Sequence, residues 1–297
     1  MAAFFYYFFL LPVSYLPMFI LYRFSDFLYL VIRFVYPYRK KVVLENLRNS
    51  FPEKSEKEIQ RIAHQFYRHF CDLIIESIAL FSMSKKQVLK RFKAKDTAAI
   101  ERLYDQGKSV IITSGHYNNW EMAAVAMNPQ IRHQVDGVYT PLSNKFLNRV
   151  FKASREKFGA HLRPKSDCKN MFETHQNQLV ATGFGTDQCP VRHVKKTYWT
   201  KFLNQETPVM FGTEKYAKQY DYGVVFLRIE KIKRGYYQFE FDLVEDKPQD
   251  APYGKITERH VRLLEKQILS APQYWLWTHK RWKLKPEMME HNNHKSA

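Results

Sequence analysis

The residues with the most chemical content lie in one stretch, Ser109-Val-Ile-Ile-Thr-Ser-Gly-His-Tyr-Asn-Asn-Trp-Glu121. A histidine five positions before a glutamate can serve as a base with its orienting carboxylate, but only if the backbone between them bends. On one continuous helix five residues turn about 500°, which leaves the side chains about 140° apart and out of contact. They meet only if His116 sits on a turn and Glu121 on the first turn of a following helix. Glu121 then accepts a hydrogen bond from one ring nitrogen, and the other points outward as a base. Such a base removes a proton from an alcohol as its oxygen attacks a thioester or ester carbonyl. The spacing alone also occurs in ordinary surface pairs. Its weight comes from the β-branched run before it and from Gly115.

A base of this kind needs a rigid strand that delivers the chain into the turn. Residues 109–113 supply one, and residues 121–127 read as the helix behind it. Upstream, Ser55 with Glu58 forms a capping box, and apolar residues at helical spacing carry that helix to about Leu80. Ser84 with Gln87 forms a second box, and a further helix ends near Gly107. Downstream, residues 135–139 and 179–184 read as strands and residues 144–158 as a helix closed by Gly159. Residues 213–219 and 257–269 read as helices. Residues 224–230 and 236–244 read as a hairpin turning near Gly235. Strands alternating with helices predict an α/β domain with a mixed, largely parallel sheet flanked by helices, spanning residues 41–286. The tail, residues 287–297, is predicted to be disordered, and His291 and His294 within it carry no metal-site pattern.

Asp187 follows the strand at 179–184, and carboxyl ends of strands in such sheets are where ligands bind. The simpler reading is a helix or turn cap. Arg155 falls in a helical pattern, where residue type alone favours a solvated arginine.

Several blocks together carry a family resemblance. Gly115-His116-Tyr117-Asn118-Asn119-Trp120-Glu121 resembles the G-H-[FY]-x-N-W-E block of the bacterial lipid A late acyltransferases, a branch of the lysophospholipid acyltransferase superfamily. Asn46-Leu47-Arg48-Asn49-Ser50-Phe51-Pro52 is similar to that family's N-L-x-x-x-F-P segment. Arg155 with Gly159 fits R-x3-G, and Asp187-Gln188 fits D-Q. Trp275-Leu276-Trp277-Thr278-His279-Lys280-Arg281-Trp282-Lys283 resembles the closing W-x-W-x-H-[RK]-R-[WF]-K signature. The resemblance covers nearly the whole chain. It implies transfer of a fatty acyl chain from acyl carrier protein or coenzyme A to a hydroxyl of a lipid A precursor, without cofactor, metal or acyl-enzyme. His116 is then the general base and Glu121 the carboxylate that orients it. Arg155, Asp187, Gln188 and Asn119 become substrate-binding or site-organising residues. One block departs: Phe202-Leu203-Asn204-Gln205-Glu206-Thr207-Pro208 stands where the family usually has a longer loop with F-F-G-x-P. That leaves a lysophospholipid or aminolipid acceptor open beside the lipid A type.

The amino-terminal 40 residues read as a membrane anchor followed by an interfacial helix. Residues 2–22 hold no charged side chain, longer than the roughly 18 apolar residues that flag a transmembrane helix. Pro12 and Pro17 would kink it. Residues 24–36, interrupted by Asp26 and Arg33, suit a helix lying in the interface. The basic residues that follow predict a catalytic domain on the cytoplasmic side, which for this family means the inner membrane. The 47 Lys and Arg against 29 Asp and Glu give a net charge of +18, a field that attracts anionic bilayers, carriers and polyanions alike. No nucleic-acid-binding motif accompanies that charge, so nucleic acid is not an expected partner. Cys71, Cys168 and Cys189 lie far apart, in no C-x-x-C spacing, so neither a disulfide framework nor a metal site is expected. The competing reading is a non-catalytic, membrane-tethered lipid-binding protein, which has no need of an oriented imidazole.

Overall fold

The computed structural model describes residues 1–174, 178–190 and 197–284. The expected disordered tail lies outside the described residues. Among the described residues nine strands run in chain order: β1 (Phe92–Asp96), β2 (Val110–Ser114), β3 (Gln134–Tyr139), β4 (His161–Pro164), β5 (Val180–Gly185), β6 (Thr197–Phe202), β7 (Gln205–Met210), β8 (Gly223–Lys233) and β9 (Tyr236–Glu245). Seven form one sheet in the order β1-β9-β8-β2-β5-β3-β4. Every neighbouring pair is parallel except the β8–β9 hairpin. The α/β, largely parallel sheet expected from the alternation is therefore present. β6 and β7 form a separate antiparallel hairpin.

β2 lies at the centre of this sheet and is buried on both faces, as a continuous apolar run in a parallel sheet requires. Ile111 joins an apolar cluster with Leu47, Phe66, Phe226 and Leu264 on one face. Val110 and Ile112 join Leu103, Met122 and Val225 on the other. The long helix Glu56–Ala79 and the helix Lys85–Arg91 both begin with complete capping boxes, from Ser55 with Glu58 and Ser84 with Gln87. Gly235 turns the β8–β9 hairpin with φ 75°.

Four strands were not expected. β1 and β4 are the two edges of the main sheet, short and mostly polar, so they lack the apolar run that marks inner strands. β6 and β7 contain the divergent segment at residues 202–208. Leu203 and Asn204 both take left-handed backbone angles there, which suits a two-residue hairpin turn.

At the amino terminus, no single helix is long and apolar enough to cross a membrane. The helical segments Ala2–Ser14 and Met18–Val35 meet that standard only as a pair, bent by 119°. The second segment packs along the helix Glu56–Ala79 through a polar seam. Ser25 Oγ donates to Asp72 Oδ1 at 2.7 Å, and Arg234 pairs with Asp26 at 2.7 Å.

The fold also explains why two distant sequence blocks belong together. Asn46, on the helix Lys40–Ser50, donates from Nδ2 to the carbonyls of Trp277 and His279, both at 2.9 Å. It thereby holds the carboxyl-terminal segment against the body. Replacing Asn46 with alanine leaves both carbonyls without these donors, a loss of about 1–3 kcal/mol. Chemical denaturation should show that decrease; an unchanged midpoint would mean the segment's other contacts hold it without Asn46.

Candidate active site

β2 and β5 are parallel neighbours, and their last residues, Ser114 and Gly185, are register partners. His116 lies two residues past Ser114, and Asp187 two residues past Gly185. The strand register therefore sets these two side chains next to each other at the carboxyl edge of the sheet, the usual ligand side of such sheets. His116 Nδ1 is 2.6 Å from Asp187 Oδ1. The His116 backbone N–H donates to Asp187 Oδ2 at 2.7 Å, and the Trp275 indole N–H donates to the same oxygen at 2.8 Å. Two glycines make room. A Cβ on Gly115 would lie 3.1 Å from Asp187 Oδ2 and 2.7 Å from Leu264, and one on Gly185 would lie 3.2 Å from the His116 ring.

This geometry corrects one expectation. The hydrogen-bond partner of the imidazole is Asp187, not Glu121. Glu121 gives both oxygens to Arg155, which donates from Nε at 2.9 Å and from a terminal nitrogen at 2.8 Å. The reason is positional: Glu121 lies on the helix Trp120–Ala126, one turn away from the ring, while β5 brings a carboxylate directly beside it. Arg155 thus has a fixed place at the site, beside the histidine. Trp120 joins the two groups. Its ring stands edge-on to His116 with centroids 5.3 Å apart, and its N–H reaches Glu121 at 3.2 Å.

Asn119, expected among substrate-binding groups, is fully buried. Its Oδ1 accepts from the Met122 N–H at 2.8 Å, capping the helix, and its Nδ2 donates to Glu76 at 2.6 Å. It is a scaffold residue in this structure. Gln188, half-buried, places its Nε2 3.2 Å from His116 Nε2. With Nδ1–H donated to Asp187, Nε2 is the ring's acceptor, and Gln188 occupies the direction from which a proton donor approaches.

Two contributors escaped the sequence reading. One is the orienting role of Asp187, 71 residues from its partner and revealed only by strand register. The other is Trp275, whose block was visible as a signature but whose indole could equally have been core or interface. It is buried and holds Asp187. Backbone bonds dock its segment onto the turn: Asn118 N–H to Tyr274 O at 2.9 Å and Leu276 N–H to His116 O at 3.1 Å. His279 Nε2 accepts from the Cys189 N–H at 3.1 Å, fixing the chain just past Asp187. Trp277 is core.

The electrostatics agree with a base held by a carboxylate. Burial by itself pulls the His116 pKa down. The Asp187 charge and hydrogen bond, helped by Glu121, outweigh it and leave the pKa raised. Burial would push the Asp187 carboxyl up, but His116 and Trp275 hold it well below the usual range.

An imidazole fixed on a buried aspartate, at the carboxyl edge of a parallel sheet and beside a carboxylate-anchored arginine, can take a proton from a hydroxyl brought to its free nitrogen. Residues 1–284 match the bacterial lipid A biosynthesis acyltransferase family, so the chain belongs to it and is an acyltransferase. It is 21% identical over 260 residues to the lipid A biosynthesis palmitoleoyltransferase of Escherichia coli (strain K12), covering 84% of this chain and 80% of that protein. It is similar to the same extent to a lipid A biosynthesis acyltransferase of Shigella flexneri.

A base works only when unprotonated. A general-base role for His116, with its pKa raised, predicts that kcat/KM rises with pH through a value above the ordinary ~6.5. Asp187→Asn removes the charge that raises it and leaves the burial that lowers it. The acid limb should move to lower pH while the rate falls by about 10²–10⁴. An acid limb that stays in place would show that Asp187 does not set the state of His116.

Proposed function

We propose that this enzyme moves a fatty acyl chain from an acyl thioester to a hydroxyl of a lipid A precursor, with His116 as general base. The observation that carries this reading is the pairing of His116 Nδ1 with Asp187, which leaves Nε2 as the proton-accepting nitrogen at a ring still partly open to the surface. The acceptor hydroxyl displaces Gln188 from Nε2 and gives up its proton there as its oxygen attacks the thioester carbonyl. The tetrahedral intermediate then expels the thiolate, which takes the proton back from the imidazolium. Asp187 stabilises the imidazolium, as a buried carboxylate does in related triads. Glu121 takes a different role from the one expected, anchoring Arg155 as the group that meets an anionic substrate. The donor, acyl carrier protein or acyl-CoA, is anionic in either case, and a chain of net charge +18 attracts both.

The same proposal places the enzyme at the inner membrane, with the catalytic domain on the cytoplasmic face. Phe8, Phe19, Phe27 and Phe34 project outward from the amino-terminal segments. The helix Met18–Leu30 is tied to the body by Ser25 and Asp26. A helix anchored to charged groups of the body while showing phenylalanines outward suits an interfacial position better than a span.

The reaction is tested by acyl transfer to a lipid A precursor and to lysophospholipid, each with both donors. His116→Ala should cost about 10²–10⁴ in kcat while remaining folded. A folded variant that keeps more than about a tenth of wild-type activity would contradict general base catalysis. A wild type that acylates only the lysophospholipid would overturn the acceptor assigned here.

Membrane attachment is tested by vesicle sedimentation. Each exposed phenylalanine contributes about 1.5–3 kcal/mol when buried, so Phe8, Phe19 and Phe27 changed together to serine should weaken binding well over tenfold. Equal binding by that variant, or wild type left in the supernatant without detergent, would contradict the interfacial placement.

A further inference from the structure

Behind the active-site turn lies a carboxylate that the mechanism does not use. Glu76, in the last turns of the helix Glu56–Ala79, is completely buried. Three donors from three parts of the fold converge on it. Asn119 Nδ2 reaches Oε2 at 2.6 Å, the Tyr237 hydroxyl reaches the same oxygen at 2.8 Å, and the Tyr22 hydroxyl reaches Oε1 at 2.8 Å. Asn119 caps the helix that carries Trp120 and Glu121. Tyr237 belongs to β9. Tyr22 belongs to the helix Met18–Leu30, whose outer face is the apolar one. The seat of the Tyr22 hydroxyl depends on the hairpin turn: a Cβ on Gly235 would lie 1.9 Å from it.

We propose that Glu76 is a positioning residue for acyl transfer. It clamps the turn at residues 116–121 through Asn119 and joins that turn to Tyr22, so that seating the amino-terminal helix orders the active site. This rests on the function proposed above. The physical argument is one of satisfaction. A buried carboxylate stays in place only while its oxygens are hydrogen-bonded, and each donor it loses loosens the groups that remain. Removing Tyr22 leaves Oε1 without a partner and weakens the hold on Asn119, which keeps the Met122 N–H capped. Burial and the neighbouring Asp72 push the Glu76 pKa up, which fits a group that acts by hydrogen bonding more than by charge.

Glutamine can reproduce the network. Its carbonyl accepts from Asn119 and Tyr237, and its amide donates to the Tyr22 oxygen. Leucine reproduces none of it. The test uses the full chain in lipid vesicles, with Tyr22→Phe, Glu76→Gln and Glu76→Leu. Two readouts are taken: hydrogen exchange of the Trp120–Ala126 amides relative to β2, and kcat and KM for the acyl donor. In Tyr22→Phe, exchange in that helix should rise about fivefold, the usual effect of losing a cap, with β2 unchanged. kcat should fall by a similar factor, with KM for the donor unchanged. Glu76→Leu should do the same or worse, and Glu76→Gln should restore both readouts to within about twofold of wild type.

Unchanged exchange at residues 120–126 in Tyr22→Phe would overturn the coupling. A Glu76→Gln variant as impaired as Glu76→Leu would overturn positioning in favour of a charge requirement. If Glu76→Leu fails to fold, Tyr22→Phe against Glu76→Gln decides the matter alone. The exchange pattern needs no turnover. Its presence in a protein without acyl-transfer activity would support the clamp while contradicting the assigned reaction.

Discussion

Asp187 is a buried carboxylate, and a charge in that position survives only if its oxygens are satisfied. Three donors do this, and they come from two segments: the ring and the backbone of His116, and the indole of Trp275. Much of the surrounding structure follows from that need. β2 and β5 must be parallel neighbours in register for His116 and Asp187 to meet. Gly115 leaves room for the carboxylate and for Leu264, which a Cβ there would approach to 3.1 and 2.7 Å. The carboxyl-terminal segment must return to the site to bring Trp275, and Asn46 holds it there. Removing any one of these donors leaves an oxygen of the buried carboxylate short of a partner, so the site and its supporting segments depend on each other.

Those dependencies show why some of the site was legible in the sequence and some was not. His116 stood out because a β-branched run, a glycine and a helix start surround it, all features with local causes. The capping boxes at Ser55 and Ser84 and the hairpin turn at Gly235 were legible for the same reason. The partner of His116 was not. Glu121 is near in sequence, so local reasoning favoured it, whereas Asp187 is near only because two strands share a register. Asn119 misled in the opposite way. It sits inside the motif block, but it faces inward and does structural work. β1 and β4 were missed because short polar strands give no periodic apolar signal, and β6 and β7 lie around the divergent segment at residues 202–208.

Glu121 and Arg155 illustrate how one motif can serve two tasks. The motif histidine faces the aspartate across the strand ends, and the motif glutamate faces the helix Lys145–Glu156 and fixes its arginine. Trp120 packs between them. The block therefore fixes the imidazole and the arginine relative to each other.

The central claim is that Asp187 fixes His116 as the Nδ1–H tautomer with a raised pKa, leaving Nε2 to take the proton. Nitrogen-15 NMR of histidine-labelled enzyme, with His116→Gln used to assign the signal, reads both properties in one titration. The account predicts an unprotonated Nε2 at high pH, a proton on Nδ1, and a midpoint above the ordinary ~6.5. A neutral ring protonated on Nε2, or a midpoint below that value, would contradict it.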